Sequence, residues 1–291
     1  MRWWRKGAAC GAALLGMTVA GVAVAPAASA VGGLGRVVAT GASDSLTQKS
    51  IAASCPVGKR VVGGGGEIIG GGGQVVLTQL RPVQDGAGGR YVVAGREDET
   101  GFTGNWSLRA YAVCADPLPG LQIVAATSAT SSDQTRNLFA FCPSGTNMLG
   151  LGVQVNNGSG QVHITAEANF FFDPPIANNV AAIEDSNGFA GNWSLTSYAV
   201  CAVPVPGLQI VYGSSAASSA GKSATVTCPP GTRVHGAGPG VSAATNAILS
   251  HLVVDRVVVD PALNQVTIGA VEDETGTAGD WTVGVAAVCA Q

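Results

Sequence analysis

Charged, aromatic and histidine residues are scarce in this sequence, and the scarcity of each limits what the protein can do. Only 11% of the 291 residues are charged and 5% are aromatic, and there are three histidines. Without the three basic residues among the first six positions, 12 Lys and Arg face 18 Asp and Glu, so the net charge is −6. A protein of that sign repels phosphate backbones and anionic lipid, which argues against a nucleic-acid partner.

The first 30 residues have the layout of a secretory signal peptide. Three basic residues lie within positions 2–6, an apolar run occupies 8–24, and Ala28-Ser29-Ala30 matches the A-x-A cleavage pattern. Later in the chain no stretch approaches the roughly 18 apolar residues that a membrane-spanning helix needs. We therefore expect residues 1–30 to be removed and the mature protein to be secreted, extracellular and without a membrane span.

A unit of about 87 residues occurs three times and fills the chain after the signal segment. Each copy contains C-P-x-G-x-x-x-x-G-x-G and, near its end, a Trp placed eight residues before a second Cys. Proline pairs at 116–120 and 203–207 discourage strand continuation, so we place repeats 1, 2 and 3 at 31–116, 121–203 and 208–291. The repeated residues are Cys55, Trp106 and Cys114, then Cys142, Trp193 and Cys201, then Cys228, Trp281 and Cys289.

The cysteines predict one disulfide in each repeat. Six cysteines remain after the signal segment, and in an oxidising compartment they allow 15 connectivities. Only pairing within a repeat keeps the three copies equivalent. Metal binding by the thiolates is disfavoured because the sequence has no C-x-x-C pair and no Cys/His cluster. The predicted pairs are Cys55–Cys114, Cys142–Cys201 and Cys228–Cys289.

Period-2 alternation of apolar residues predicts strands and almost no helix. Between Trp106 and Cys114 one alternate set of residues is apolar, and the even spacing puts both residues on the inner face of a strand. Five similar segments precede it in repeat 1. We predict an all-β fold of three tandem, disulfide-closed, antiparallel β-sandwich repeats. We interpret the alternate glycines of each repeat, such as Gly63 and Gly65, as a smooth strand face on which the Trp ring packs.

An acidic turn precedes each tryptophan. Clustered carboxylates on a Gly-containing turn are what Ca²⁺ binds, which makes calcium the alternative interpretation. Asp, Thr and Gly are also the residues that close a turn between two strands, and the spacing matches no known calcium loop. We therefore interpret the acidic residues as structural and expect no cofactor or metal. The acidic pairs are Glu97-Asp98, Glu184-Asp185 and Glu272-Asp273.

Residues for catalysis are few and do not follow the repeat. A serine triad needs a histidine, but His163, His235 and His251 lie at non-equivalent positions and none belongs to repeat 1. Glu97 and Asp98 are adjacent, so in a strand they point to opposite faces, which does not suit a glycosidase. We predict that the protein is not an enzyme.

The combination C-P-x-G-x-x-x-x-G-x-G, E-D-x-x-G, W and A-V-C-A resembles a repeat of secreted proteins from high-GC Gram-positive bacteria and their phages. The resemblance covers all three repeats and implies export and a disulfide-closed β-domain, but no particular activity. The C-P-x-G motif before a glycine-rich strand also resembles, more weakly, the vitelline membrane outer layer fold, whose repeats are much shorter. That resemblance implies an alternative fold, a β-prism with three-fold pseudo-symmetry in which the three units close around one axis.

The function predicted from these features is a non-catalytic extracellular protein with a binding or structural surface. Its partner would be a cell wall, a polysaccharide or a protein, and three similar repeats would add avidity. The alternative is an inhibitor of a secreted enzyme such as a protease, with Arg81 in an exposed turn at 80–83. Phe170–Phe172 are expected to form either a contact between repeats or a hydrophobic recognition spot.

Overall fold

The computed structural model describes residues 30–86, 88–167 and 174–291. The predicted signal peptide, apart from its last residue, and Phe170–Phe172 lie outside this part of the chain. Each repeat contributes six strands, and repeat 3 adds one short helix. Repeat 1 has β1 (Gly35–Thr40), β2 (Gln48–Ser54), β3 (Arg60–Ile69), β4 (Val75–Asp85), β5 (Gly88–Glu97) and β6 (Ser107–Ala115). Repeat 2 has β7 (Gln122–Thr127), β8 (Thr135–Phe141), β9 (Asn147–Asn156), β10 (Val162–Glu167), β11 (Ala177–Glu184) and β12 (Ser194–Ala202). Repeat 3 has β13 (Gln209–Ser214), β14 (Lys222–Thr227), β15 (Arg233–Ala243), α1 (Asn246–Leu249), β16 (Leu252–Val259), β17 (Gln265–Glu272) and β18 (Trp281–Ala290).

The strands form three antiparallel six-stranded sheets, and each sheet takes three strands from one repeat and three from another. Repeat 1 joins repeat 2 where β4 pairs with β9, and it joins repeat 3 where β3 pairs with β16. Repeats 2 and 3 join where β10 pairs with β15. The three repeats therefore close on one another in a cycle. The strand orders are β2-β5-β4-β9-β12-β7, β1-β6-β3-β16-β17-β14 and β13-β18-β15-β10-β11-β8.

The all-β prediction is confirmed, and the sheet order shows how the repeats are combined. Within repeat 1 the half-sheet β1-β6-β3 packs against the half-sheet β2-β5-β4, as in a small sandwich. Each half-sheet ends in a strand edge whose N–H and C=O groups need partners, and the neighbouring repeat pairs with this edge over one or two residues. The repeats are therefore not structurally separate domains. Their closed arrangement has the three-fold pseudo-symmetry of the alternative β-prism fold.

The first glycine of each G-x-G pattern allows the three central strands β3, β9 and β15 to approach one another. A Cβ on any of these glycines would overlap a backbone carbonyl of a neighbouring repeat. A β-bulge at the preceding residue brings the strand toward this contact. The interpretation of these glycines as a bed for the Trp ring is therefore wrong, because their nearest neighbours are backbone atoms of another repeat. The contacts are Gly63 with His235, Gly150 with Val62, and Gly236 with Leu149.

Three disulfides connect the sheets in the pairing that the repeat predicts. Each joins a cysteine that follows the second strand of a repeat to one in its sixth strand, and these two strands belong to different sheets. The bridges are Cys55–Cys114, Cys142–Cys201 and Cys228–Cys289.

The described residues include no helix long and apolar enough to cross a lipid bilayer.

Candidate functional site

The tryptophan of each repeat is completely or almost completely buried, and it is held by the first Glu of its acidic turn. The indole Nε1–H donates a hydrogen bond to Oε1 of that Glu, so this carboxylate oxygen has its partner inside the core. A cation from the second strand of the same repeat lies over the face of each indole ring. Over Trp106 this cation is Lys49, whose Nζ lies 4.4 Å from the ring centre. The Nε1–Oε1 distances are 3.0 Å for Trp106–Glu97, 3.0 Å for Trp193–Glu184 and 2.8 Å for Trp281–Glu272.

The second acid of the turn has a structural role in repeats 1 and 3. Asp98 Oδ1 accepts hydrogen bonds from the Thr100 backbone N–H at 2.9 Å, the Thr100 hydroxyl at 2.7 Å and the Gly101 N–H at 2.9 Å. Asp273 makes the same three bonds with Thr275 and Gly276. These are the side-chain to backbone bonds of an Asx turn, as the structural interpretation of the loop expects.

Repeat 2 departs from this pattern because Asn187 stands where the other repeats have Thr. Asp185 is only 8% exposed, and its Oδ1 has no hydrogen-bond partner. The Asn187 amide instead donates to Glu99 of repeat 1. Burial, together with the negative charge of Glu99, raises the pKa of Asp185 to about 7.

The three acidic turns meet around a cavity of about 90 Å³, which we call the axial cavity. Because equivalent turns of all three repeats line it, it lies on the pseudo-three-fold axis. No three carboxylate, imidazole or thiolate groups of the described residues converge closely enough to hold a metal ion by themselves. The ionisable residues around the cavity are Asp98 and Glu99, Asp185, Asp273 and Glu274, and His163.

His163 is the one histidine that lines the axial cavity among the residues described there. It is 3% exposed, and its Nδ1 has no hydrogen-bond partner. Burial lowers the pKa of His163 to about 4, partly opposed by the charge of Asp273 and by a hydrogen bond to the backbone of Leu252. The equivalent positions in the other repeats are Val76 and Val253.

The other two histidines have structural contacts, and the His251 Nδ1 lies 3.0 Å from the Thr275 hydroxyl oxygen. The His251 Nδ1 lies 2.8 Å from an Asp273 carboxylate oxygen, at the acidic turn of repeat 3. His235 occupies the bulge of β15 and is fully buried, with Nδ1 2.9 Å from the Arg233 carbonyl oxygen. Burial lowers the pKa of His235 to about 4.

A second cavity, of about 390 Å³, runs over the junction of repeats 1 and 2; we call it the amide groove. Its floor includes Gln79 of β4 and Gln154 of β9, which are paired across the two repeats. Adjacent residues on the two strands, Leu80 after Gln79 and Val153 before Gln154, are buried in the core, so the amides point to the outer face of the sheet. The polar residues that line the groove are Gln48, Thr78, Gln79, Arg96, Gln154, Asn156, Asn157 and Ser159.

Hydrogen bonds fix one side of the amide groove and leave the other side open. The Tyr198 hydroxyl donates to Gln154 Oε1 at 3.0 Å, and Gln154 Nε2 donates to Asn156 Oδ1 at 2.7 Å. Within the described chain, the side chains of Gln48, Gln79 and Arg96 have no such bond or ion pair. The groove therefore has a rigid half and a half whose donors and acceptors face solvent.

The equivalent positions on the other two sheets have different chemistry. Where repeats 1 and 2 pair Gln79 with Gln154, repeats 3 and 1 pair Arg256 with Glu67. Glu67 is neutralised within its own sheet by Arg109 at 2.6 Å. At the third junction the pair is Ala166 with Gly240. The scaffold is repeated but its outer surface is not, so three equal binding sites are not present on these faces.

Arg81 does not lie in an exposed turn, and that prediction is wrong. Residues 80–83 belong to β4, in which Arg81 pairs with Val92 of β5. The Arg81 guanidinium lies over the Tyr198 ring, 5.8 Å from its centre, and the Arg81 Nε is buried. The residue on which the protease-inhibitor alternative depended is therefore held flat against the sheet.

No protein-family model matches this sequence, and no curated protein is significantly similar to it.

Proposed function

We propose that this is a secreted, non-catalytic binding protein whose amide groove takes a polysaccharide chain. The observation that carries the proposal is the set of open amide and guanidinium groups at the junction of repeats 1 and 2, beside the fixed pair Gln154 and Asn156.

The chemistry of the groove suits a polymer rich in hydroxyl groups. An amide side chain offers both donors and acceptors, and sugar hydroxyls act as both, so each can pair with the other in either direction. Because Gln154 and Asn156 are already held by Tyr198 and Thr196, binding does not have to order them. Arg96 adds a planar cation at the rim, which favours a sugar that bears a carboxylate or phosphate group.

The location of the groove also favours a long ligand. It lies on the outer face of a sheet and is open to solvent, so a chain can pass over it without being enclosed. The other two junctions lack matching groups, so one groove rather than three-fold avidity accounts for binding. Secretion is supported by the three disulfides, which persist in oxidising compartments.

A retention experiment tests the proposal. Purified protein is mixed with insoluble bacterial cell walls, with neutral polysaccharides and with acidic polysaccharides, and the bound fraction is measured against polymer concentration. We expect retention on at least one polysaccharide, and we expect Gln79→Ala and Arg96→Ala each to weaken it about tenfold, the loss expected from one hydrogen bond of about 1.4 kcal/mol.

The matched control is Arg233→Ala, which also removes an exposed positive charge but lies in β15, outside the groove. It should bind as the unaltered protein does. The proposal fails if no polysaccharide retains the protein, or if the two groove variants and the control bind equally.

A further inference from the structure

The axial cavity contains more negative charge than the surrounding chain neutralises. Its five carboxylates come from all three repeats. In the described part of the chain, His251 pairs with Asp273 at 2.8 Å, and no Lys or Arg forms an ion pair with any of the five. Asp185 is the buried member of this group, and the partly or fully exposed carboxylates of the other four residues add negative charge around it, so this arrangement favours a bound cation.

Two buried atoms without partners independently indicate where the cation binds. Asp185 Oδ1 lacks the Thr hydroxyl bond that satisfies its equivalents in the other repeats. His163 Nδ1 also lacks a partner, although the residue is only 3% exposed. A buried polar atom without a hydrogen bond is costly, and both residues line the same cavity.

The His163 ring has a hydrogen bond to the backbone and one nitrogen without a partner. Its hydrogen bond goes to the backbone of Leu252. Because Nδ1 is unpartnered, that bond is made by Nε2, which leaves the Nδ1 lone pair free. Metal-binding histidines usually donate their second ring N–H to a carbonyl or carboxylate in this way.

We infer that the axial cavity binds one divalent transition-metal ion, of the Mn²⁺ or Zn²⁺ class, through His163 Nδ1 and Asp185 Oδ1. An imidazole nitrogen beside a carboxylate favours these ions over Ca²⁺, which takes oxygen ligands. Since no three protein ligands converge, water completes the coordination, and about 90 Å³ holds an ion with a few water molecules.

This site differs from the calcium alternative that the sequence offers. A calcium loop in each acidic turn would bind three ions per chain, whereas the axial cavity binds one. Its ligands belong to repeat 2, and the surrounding charges come from repeats 1 and 3. The bound ion therefore stabilises the meeting point of the three turns, and it does so whether or not the amide groove binds a polysaccharide.

The test uses the full mature chain after treatment with EDTA and its removal. Equilibrium dialysis against Zn²⁺ and, separately, Mn²⁺ is followed by elemental analysis, and melting temperatures are recorded with each metal, with Ca²⁺ and with EDTA. We expect one Zn²⁺ or Mn²⁺ per chain and a higher melting temperature. His163→Val and Asp185→Asn should each weaken binding at least tenfold, while Asp116→Asn, which alters an exposed acid elsewhere, should not.

His163→Val should fold, because Val occupies the equivalent position in repeats 1 and 3. A measurement on the unaltered, ¹⁵N-labelled chain makes the test independent of any variant. Zn²⁺ should shift the Nδ1 resonance of His163 and leave the ring resonances of His235 unchanged. The inference is overturned if millimolar Zn²⁺ and Mn²⁺ do not bind, if His163 is unaffected by the metal, or if three ions bind per chain.

Discussion

At the scale of single residues, the buried Glu of each acidic turn has the clearest structural role. Glu97 is 5% exposed and accepts the indole hydrogen bond of Trp106 at 3.0 Å. A buried N–H that loses its acceptor costs more than an ordinary hydrogen bond contributes, because the group has no water to replace the partner.

Two substitutions of Glu97 separate its hydrogen bond to the indole from its other contributions to stability. Glu97→Ala removes the acceptor and should lower the free energy of unfolding by about 1–3 kcal/mol, whereas Glu97→Gln keeps an acceptor oxygen and should cost less than about 1 kcal/mol. Urea unfolding followed by Trp fluorescence measures both values. Equal losses for the two variants would show that the indole bond is not what Glu97 contributes.

His235 makes stability depend on pH. Burial lowers the pKa of His235 from 6.5 to about 4, so the unfolded chain binds a proton that the folded chain does not bind between these values. The contribution of His235 to the free energy of unfolding is therefore fully present above pH 6.5 and is lost as the pH decreases toward 4. The loss from this group is about 3 kcal/mol.

The repeats supply the substitution that tests this dependence. Leu149 is the residue of repeat 2 at the equivalent bulge. His235→Leu should change the unfolding free energy at pH 7.5 by less than about 1 kcal/mol and should reduce its decrease toward pH 4. Urea titrations at both pH values, in EDTA, measure the difference. An unchanged pH dependence would mean that His235 is not the group that titrates.

The individual residues of the acidic turn could be predicted from the sequence, but their convergence could not. Asp, Thr and Gly at fixed spacing indicate an Asx turn in any context. Bringing the turns of all three repeats to one cavity depends on strand pairing between repeats, for which local patterns contain no information. One signal was present: His163 replaces a valine that the other two repeats keep at the same position.

At the scale of secondary-structure elements, alternation predicted six strands in each repeat, and the structure has six. The spacing of Trp106 and Cys114 predicted a shared buried face, and both are at most 2% exposed. The function of the glycines in β3, β9 and β15 was missed. An alternate glycine indicates close approach of some group, and the sequence does not say whether a ring or another backbone makes it.

The glycine contacts predict a sharp positional effect. Gly150→Ala places a Cβ where the Val62 carbonyl oxygen lies, so the central strands must separate. We expect a loss of at least about 3 kcal/mol, as for overpacking at a rigid backbone contact. Gly35→Ala in β1, which meets no atom within 4 Å, is the control and should change stability by less than about 0.5 kcal/mol. Chemical denaturation of both variants tests the account, and similar losses would contradict it.

At the scale of the whole molecule, closure of the three repeats creates both candidate sites. The amide groove exists because β4 of repeat 1 pairs with β9 of repeat 2, and the axial cavity exists because three turns meet. The repeat itself, its disulfides and its strands followed from the sequence. The pairing between repeats did not, because each half-sheet edge has the same local pattern whichever neighbour it meets.

We therefore expect the three repeats to fold and unfold as one closed body rather than as three independent domains. Differential scanning calorimetry of the mature chain tests it most directly, because shared sheets couple the unfolding of all repeats. We predict a single transition whose calorimetric enthalpy equals its van't Hoff enthalpy. Separate transitions, or a calorimetric enthalpy close to three times the van't Hoff value, would contradict closure and with it the junction on which the amide groove depends.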